Sequence, residues 1–269
     1  MGDDRPIGVF DSGSGGLTVL RAIRERLPLE RTIYVGDHLH FPYGPRYQHE
    51  VKGFAFDIIR YLESRDVKLV VIACNTATAA ALNQAREVFD VPIVGVISPG
   101  AQAAVEATRR GLVGVISTEG TRMSQEYLHA IKEIDPMVGV YQKASPELVE
   151  IVEAGEADSP RAEAVLKRDL AEIVDLRADV LVLGCTHYPL LRPTIQRILP
   201  GAFTLVDSAA TTAGMVERRL DHARMRAETA DGAADHELLV TAVPDRFDEV
   251  AQTLFGGEIP PIRQINLWD

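Results

Sequence analysis

The chain has 269 residues, of which 46% are hydrophobic and 25% are charged. This balance is typical of a folded globular protein and excludes a largely disordered one, and the length suits one large domain or two modest ones. The formal net charge of −11 argues against a broad basic surface for nucleic acid or anionic lipid. No apolar run approaches the roughly 18 residues of a membrane span, and the first residues do not resemble a signal peptide, so we expect a cytoplasmic protein.

Short apolar runs that suit buried parallel strands alternate along the chain with helical patterns. The predicted strands are 7–10, 32–35, 69–73, 92–97, 112–116, 138–141, 180–183 and 203–206. Apolar residues recur at helical spacing after the first two strands, at Leu17, Leu20, Ile23 and Leu27 and at Val51, Phe54, Ile58 and Tyr61. The polar segment 228–236 predicts an exposed loop before a last strand–helix–strand passage. The alternation predicts an α/β fold with mainly parallel sheets, in which ligands bind at the carboxyl ends of the strands.

Two internal echoes predict that the chain consists of related halves. The segment LVVIACNTATAAAL around Cys74 resembles VLVLGCTHYPLLRP around Cys185, and GVFDSGSGGLTV from Gly8 resembles GVISTEGTRMS from Gly114. We expect two facing, pseudo-symmetric α/β domains with the active site in the cleft between them. The first domain is predicted to contain residues 1–97 and 208–269, and the second residues 98–207.

The two cysteines are the strongest candidates for chemistry. Two cysteines give neither a disulfide framework nor the usual four ligands of a structural zinc site, so we expect free thiols. A single free cysteine is more often a small buried apolar side chain. Here, however, each one ends a strand and precedes a predicted helix, with the capping residues Asn75 and Thr76 in one case and Pro189 in the other. Helix N-termini lower the pKa of a thiol, so this context predicts two reactive cysteines.

Neighbouring motifs leave structural and functional interpretations open. His187 alone is more often an ordinary buried histidine, but its position two residues after Cys185 suits a proton relay. The turn DSGSGG that begins at Asp11 lacks a Walker Gly-Lys-Ser/Thr, and Thr18 replaces the third glycine of a dinucleotide fingerprint, which disfavours nucleotide binding. Asp11 is therefore either a cap on a tight turn or a catalytic group.

The Pro-Tyr-Gly sequence at 42–44 predicts a turn whose backbone N–H groups are suited to bind a carboxylate. Glu153, in the segment IVEAG, is by itself typical of a solvated carboxylate at a helix end. No lysine lies near either cysteine motif, which argues against a pyridoxal phosphate Schiff base. We expect no cofactor and no metal.

Taken together, GVFDSGSGGLTV, the Gly-Asp and Pro-Tyr-Gly of residues 36–44, ACNTATA, GCTHYPLL and the VDSA at Val206 resemble the glutamate racemase family of the wider aspartate/glutamate racemase superfamily. The resemblance implies cofactor-independent interconversion of L- and D-glutamate, which supplies D-glutamate for peptidoglycan, and it implies a homodimer. Cys74 would act on D-glutamate and Cys185 on L-glutamate.

The resemblance also implies roles for the surrounding residues. Asp11 would assist Cys74, His187 would assist Cys185, and Glu153 would support His187. The substrate would be bound by Asp11, Ser12, Pro42, Tyr43, Gly44, Asn75, Thr76, Thr118, Thr121 and Thr186. The sequence departs from the family pattern at Ser145, where a cysteine is common, and at Ala242, which follows Thr241 in place of a glycine.

Three alternatives remain open at this level. The same two-thiol chemistry serves racemases of other substrates, such as aspartate or a hydantoin. A thiol-dependent decarboxylase or hydrolase would need only one essential cysteine. Some members of the family also suggest a binding role on DNA gyrase, for which the acidic chain offers no direct DNA surface.

Overall fold

The computed structural model describes residues 2–228, 235–243, 247–256 and 259–268. The chain divides into two compact units, one of Met1–Val96 and Ala209–Asp269 and the other of Ile97–Ser208. The predicted boundaries lie within one residue of these. That these units are two separate domains stays a prediction.

Strands and helices alternate along the chain as predicted. In chain order they are β1 (Ile7–Asp11), α1 (Leu17–Arg26), β2 (Thr32–Gly36), α2 (Gln48–Ser64), β3 (Leu69–Ile72), α3 (Asn75–Val88), β4 (Ile93–Gly95), α4 (Ile97–Ala107), β5 (Leu112–Ser117), α5 (Glu119–Ser124), α6 (Glu126–Ile134), β6 (Gly139–Ala144), α7 (Glu147–Glu153), α8 (Pro160–Asp175), β7 (Val180–Gly184), a 3₁₀ turn (Tyr188–Leu191), α9 (Arg192–Ile198), β8 (Thr204–Asp207), α10 (Ser208–Ala223), β9 (His236–Val240), α11 (Phe247–Phe255) and β10 (Ile262–Gln264).

The first unit contains a six-stranded parallel sheet in the order β10-β9-β2-β1-β3-β4. Every residue of β1 and β3 is buried, so both faces of these central strands are covered. Helix α2 contributes a buried stripe of Val51, Ala55, Ile58, Ile59 and Leu62 to the core. Phe54 and Tyr61, which the sequence pattern placed on that stripe, are only partly buried beside it.

The second unit contains a four-stranded parallel sheet in the order β6-β5-β7-β8. This order repeats that of β2-β1-β3-β4 in the first unit, so the internal echoes in the sequence correspond to equivalent strands. The echo glycine Gly114 lies on β5 where α8 packs closely, and a Cβ atom there would lie 2.4 Å from Ile173 Cγ2. The predicted α/β class with mainly parallel sheets is confirmed.

The structure differs from the sequence pattern at the end of β4. The pattern predicts Ile97 at the end of a strand, but β4 ends at Gly95 and Ile97 is the first residue of α4.

The predicted loop at 228–236 falls mostly on residues 229–234, which lie outside the described residues. In the parts of the chain that the structure describes, no helix is long and apolar enough to cross a membrane.

A buried ion pair stabilises the first unit at the start of β3. Lys68 Nζ lies 2.5 Å from Glu30 Oε2, and the two side chains are 0% and 2% exposed. Lys68 Nζ also donates to Met225 O at 2.8 Å, while Glu30 Oε1 accepts from Ala227 N at 3.0 Å. The pair therefore connects the start of β3 to the segment that follows α10.

Replacing Glu30→Gln should lower the free energy of unfolding by about 3 to 5 kcal/mol, because it leaves the Lys68 ammonium buried without a counter-charge. Urea unfolding of the two proteins measures this difference. The matched control is Glu25→Gln, which removes an exposed carboxylate 2.7 Å from Arg21 Nε and should change stability by less than about 1 kcal/mol. Equal effects of the two substitutions would contradict the role of the buried pair.

Candidate active site

Cys74 lies directly after β3 and is itself the N-cap of α3. Its Sγ accepts a hydrogen bond from Ala77 N at 3.4 Å and lies 3.7 Å from Ser12 Oγ. The sequence placed the cap at Asn75 or Thr76, and this was wrong by one residue, because the thiol rather than a following hydroxyl or amide accepts the N–H of the first turn. The helix N-terminus and this N–H both favour the thiolate form of Cys74.

Asp11 is fully buried at the end of β1, in the strand paired with β3. Its Oδ2 accepts hydrogen bonds from Gly13 N and Gly16 N, each at 3.1 Å. A Cβ atom at Gly16 would lie 2.4 Å from Asp11 Cβ, which explains the glycine at this position of the turn. Asp11 thus caps the tight turn, and a catalytic role for it stays a prediction.

The segment 42–44 follows β2, and a hydrogen bond from Tyr43 connects it to Asp37. Asp37 is fully buried and accepts hydrogen bonds from Tyr43 Oη at 2.5 Å and Thr241 Oγ1 at 2.8 Å, and its Oδ2 lies 3.0 Å from His40 Nδ1. Arg46 N donates to Tyr43 O at 3.1 Å, so the observed turn spans residues 43–46 and overlaps the predicted one only at Tyr43 and Gly44. Burial raises the pKa of Tyr43 well above its usual range, and the nearby charges of Asp37, Cys74 and Asp11 raise it further.

Cys185 follows β7 in the second unit and lies beside a histidine–glutamate pair. Cys185 Sγ is 3.7 Å from His187 Nδ1, and His187 Nε2 is 2.6 Å from Glu153 Oε1. Burial by itself lowers the pKa of His187, but the hydrogen bonds with Cys185 and Glu153 outweigh it and hold this pKa well above its usual range. Both hydrogen-bond partners therefore favour the protonated form of the imidazole.

The chain after Cys185 differs from the helix expected there. A 3₁₀ turn over Tyr188–Leu191 precedes α9, and Pro189 lies in the first positions of this turn. Thr186 is buried between Cys185 and His187. Directly after the neighbouring strand β5, Thr118 caps α5 by accepting from Thr121 N at 3.3 Å, and the two hydroxyl oxygens are 3.0 Å apart.

The predicted residues thus form two clusters, each at the carboxyl ends of strands within one unit. The Cys74 cluster contains Asp11, Ser12, Tyr43, Asn75 and Thr76, and all of these are buried. The Cys185 cluster contains Thr118, Thr121, Thr186, His187 and the partly buried Glu153. Pro42 is exposed and Gly44 partly buried in the turn beside Tyr43. No group of three His, Cys, Asp or Glu side chains suited to a metal ion occurs among the described residues.

Sequence reasoning missed two residues that organise these clusters. Asp37 enters the sequence analysis only through the Gly-Asp motif, although a buried acid directly after a strand is a signal for a site at the carboxyl edge. Tyr188 enters it only as part of the motif GCTHYPLL, but its Oη donates to Ser145 O at 2.7 Å.

Comparison with known proteins assigns the chain to a family. Residues 7–216 match the description of the Asp/Glu/Hydantoin racemases. The chain belongs to this family. A glutamate racemase from Lactiplantibacillus plantarum is 41% identical over 95% of this chain and 94% of its own length.

Solved structures agree with this assignment. A glutamate racemase isoform from Bacillus anthracis matches with a TM-score of 0.93 and 37% identity, covering 98% of both chains. A glutamate racemase from Francisella tularensis, solved in complex with D-glutamate, matches with a TM-score of 0.92 and 32% identity, again over 98% of both chains. The resemblance to glutamate racemases, and with it the predicted enzyme class of amino-acid racemase, is confirmed.

Replacing Glu153→Gln should lower the pKa of His187, because the carboxylate that stabilises the imidazolium is lost. The folded pKa of His187 lies above the value of about 6.5 in the unfolded chain, so its contribution to stability is complete below about pH 6.5 and is lost as the pH rises through the folded pKa. The stability difference between wild type and variant should therefore be largest near about pH 6 and shrink at higher pH.

NMR titration of the histidine rings and unfolding at several pH values measure these two effects. The control is Glu150→Gln on the same helix, whose carboxylate is 77% exposed and lies 3.7 Å from Arg161 Nη2. An unchanged His187 titration in the Glu153→Gln protein would contradict the proposed pairing.

Proposed function

We propose that this protein interconverts L- and D-glutamate without a cofactor, using Cys74 and Cys185 as the acid and base on opposite faces of the α-carbon. The observation that carries the proposal is that each thiol follows a buried strand and has its own charge-stabilising partners. Cys74 has the first turn of α3 and the Asp11 turn, and Cys185 has His187.

The chemistry requires one base and one acid at a time. In the D-to-L direction the Cys74 thiolate takes the α-proton, the electron pair stays on the α-carbon, and the Cys185 thiol gives its proton to the other face. The reverse direction exchanges the two roles. Because both groups have the same chemistry, each is left in the state that the opposite direction needs.

The partners of Cys185 suit it to this exchange. A protonated His187 beside the sulfur stabilises the thiolate by its charge, and Glu153 keeps the imidazole protonated and oriented. On the other side, Asp11 holds the turn that places Ser12 against Cys74. We assign to Asp11 an assisting role toward Cys74 that works through the position of this turn rather than through charge.

The remaining predicted residues would bind the amino acid. Ser12, Asn75 and Thr76 near Cys74, and Thr186 next to Cys185, offer buried hydroxyl and amide groups to the head group. Thr118, which follows β5, and Thr121 in α5 would line the pocket. The side-chain carboxylate would bind at the turn of Pro42, Tyr43 and Gly44. Such fixed donors would stabilise the carbanion-like transition state.

The wider role follows the family resemblance. We propose that the D-glutamate serves peptidoglycan synthesis and that the enzyme acts as a homodimer. A cytoplasmic location fits the mechanism, because both thiols must stay reduced. Binding to DNA gyrase stays a prediction, separate from the catalytic role.

Proton NMR of L-glutamate in heavy water tests the reaction. The wild-type protein without added cofactor should remove the α-proton signal and form D-glutamate. Cys74→Ser and Cys185→Ser should each reduce turnover by about 100-fold or more, because serine is a far weaker acid than cysteine and general acid–base catalysis typically contributes 10²–10⁴-fold. Circular dichroism of both variants controls for folding.

Each contrary result indicates a different activity or substrate for this protein. Turnover that survives either cysteine substitution would favour a one-thiol decarboxylase or hydrolase. In a panel with aspartate and a hydantoin, faster turnover of another substrate would retain the two-thiol chemistry but contradict glutamate as the substrate.

A further inference from the structure

Two consecutive residues after β7 hold the two ends of helix α7. His187 Nε2 lies 2.6 Å from Oε1 of Glu153, the last residue of the helix. Tyr188 Oη donates to Ser145 O at 2.7 Å, two residues before the helix begins at Glu147. The helix that carries Glu153 is therefore fixed from the segment that carries Cys185.

The Tyr188 hydroxyl is not needed to satisfy the carbonyl groups it contacts. Ser145 O also accepts from Leu148 N at 3.1 Å. Ser117 O, which lies 3.3 Å from Tyr188 Oη, also accepts from Ser145 N at 2.9 Å. Since a carbonyl oxygen accepts two hydrogen bonds, the single proton of the phenol adds a second donor to Ser145 O at 2.7 Å, and the oxygen also lies 3.3 Å from Ser117 O. Its contacts join the ends of β5 and β6 to the residues after β7.

Burial favours the protonated phenol, which is the form that donates a hydrogen bond. Tyr188 is fully buried, and burial raises its pKa well above the usual range, with the charges of Cys185 and Asp169 adding to the rise. Ser145 makes a second buried hydrogen bond, in which its Oγ donates at 2.7 Å to Oδ2 of Asp169, a residue of α8. The start of α7 is thus held from two sides by buried hydrogen bonds.

We propose that Tyr188 is a positioning residue for proton transfer at Cys185. Its hydroxyl fixes the start of α7, so that Glu153 at the other end holds His187 against the sulfur. This inference rests on the proposed racemase function and assigns Tyr188 to only one of the two proton transfers.

That restriction has a measurable consequence. The two glutamate enantiomers have the same free energy, so any variant must lose kcat/KM equally in both directions. The isotope effects can differ between the two directions, however, because Cys185 removes the α-proton of L-glutamate and Cys74 removes that of D-glutamate. Slower proton transfer at Cys185 makes cleavage of the α-C–H bond of L-glutamate rate-limiting. Cleavage of the α-C–H bond of D-glutamate then no longer limits the rate, so its isotope effect is suppressed.

The test compares primary isotope effects on kcat/KM with α-deuterated L- and D-glutamate. Tyr188→Phe should lower kcat/KM by about tenfold, the size expected for the loss of one positioning hydrogen bond. Its isotope effect should rise for L-glutamate and fall toward one for D-glutamate, relative to wild type. Ser145→Ala should show a smaller shift of the same sign and serves if Tyr188→Phe folds poorly.

Two matched tyrosine variants sharpen the comparison. Tyr34 is buried and its Oη donates to Gly13 O at 2.6 Å in the Asp11 turn, so Tyr34→Phe should give the opposite isotope pattern. Tyr141 donates to Glu172 and lies at neither cluster, so Tyr141→Phe should leave both isotope effects unchanged.

Equal changes of both isotope effects in Tyr188→Phe, or no change, would overturn the proposal. A wild-type protein that leaves glutamate unchanged would overturn the proposed function instead. In that case NMR titration of His187 tests the positioning role by itself: a lower pKa in Tyr188→Phe than in wild type supports it, and an unchanged pKa overturns it.

Discussion

Parallel pairing between the strand that ends at a cysteine and its neighbour determines where each cysteine lies. β3 pairs with β1, and Ala73 N continues this pairing by donating to Phe10 O at 2.8 Å, so Cys74 leaves the sheet beside Asp11. β7 pairs with β5 up to Gly184 and Ser117, so Cys185 leaves beside Thr118. Parallel strands end at a common edge, and the loops that follow them are therefore brought together.

The two thiols are stabilised by different means for a structural reason. Cys74 caps a helix of 14 residues, whose N-terminus favours a negative charge. Cys185 is followed by a 3₁₀ turn of four residues and a helix of seven, which offer a weaker dipole. His187 lies beside Cys185, and its hydrogen bonds with Cys185 and Glu153 favour the protonated imidazole. We infer that the positive charge of His187 compensates for the shorter helical segment after Cys185.

The sequence predicts the strands and helices better than it predicts the hydrogen bonds between residues far apart in the chain. Apolar runs that end in Cys74 and Cys185 identify the strands and the edge where chemistry is possible, because strand burial and helix periodicity are local properties. Glu153 was connected to His187 only through the family resemblance, since the two are 34 positions apart and IVEAG looks like a solvated helix end. The hydroxyl of Tyr188 likewise reaches a carbonyl 43 positions away, which no local pattern indicates. The one-residue error at the cap of α3 arose because sulfur was not considered as an acceptor.

The position of the isotopic label after a brief reaction tests the central claim most directly. L-Glutamate is converted in heavy water to a small extent, and both enantiomers are then examined for α-deuterium. With two thiols, the product D-glutamate receives its hydrogen from a group equilibrated with solvent, so it should carry deuterium while the remaining L-glutamate keeps its proton. Product that retains the original proton, or remaining substrate that gains deuterium as fast as product forms, would indicate a single base and contradict the account.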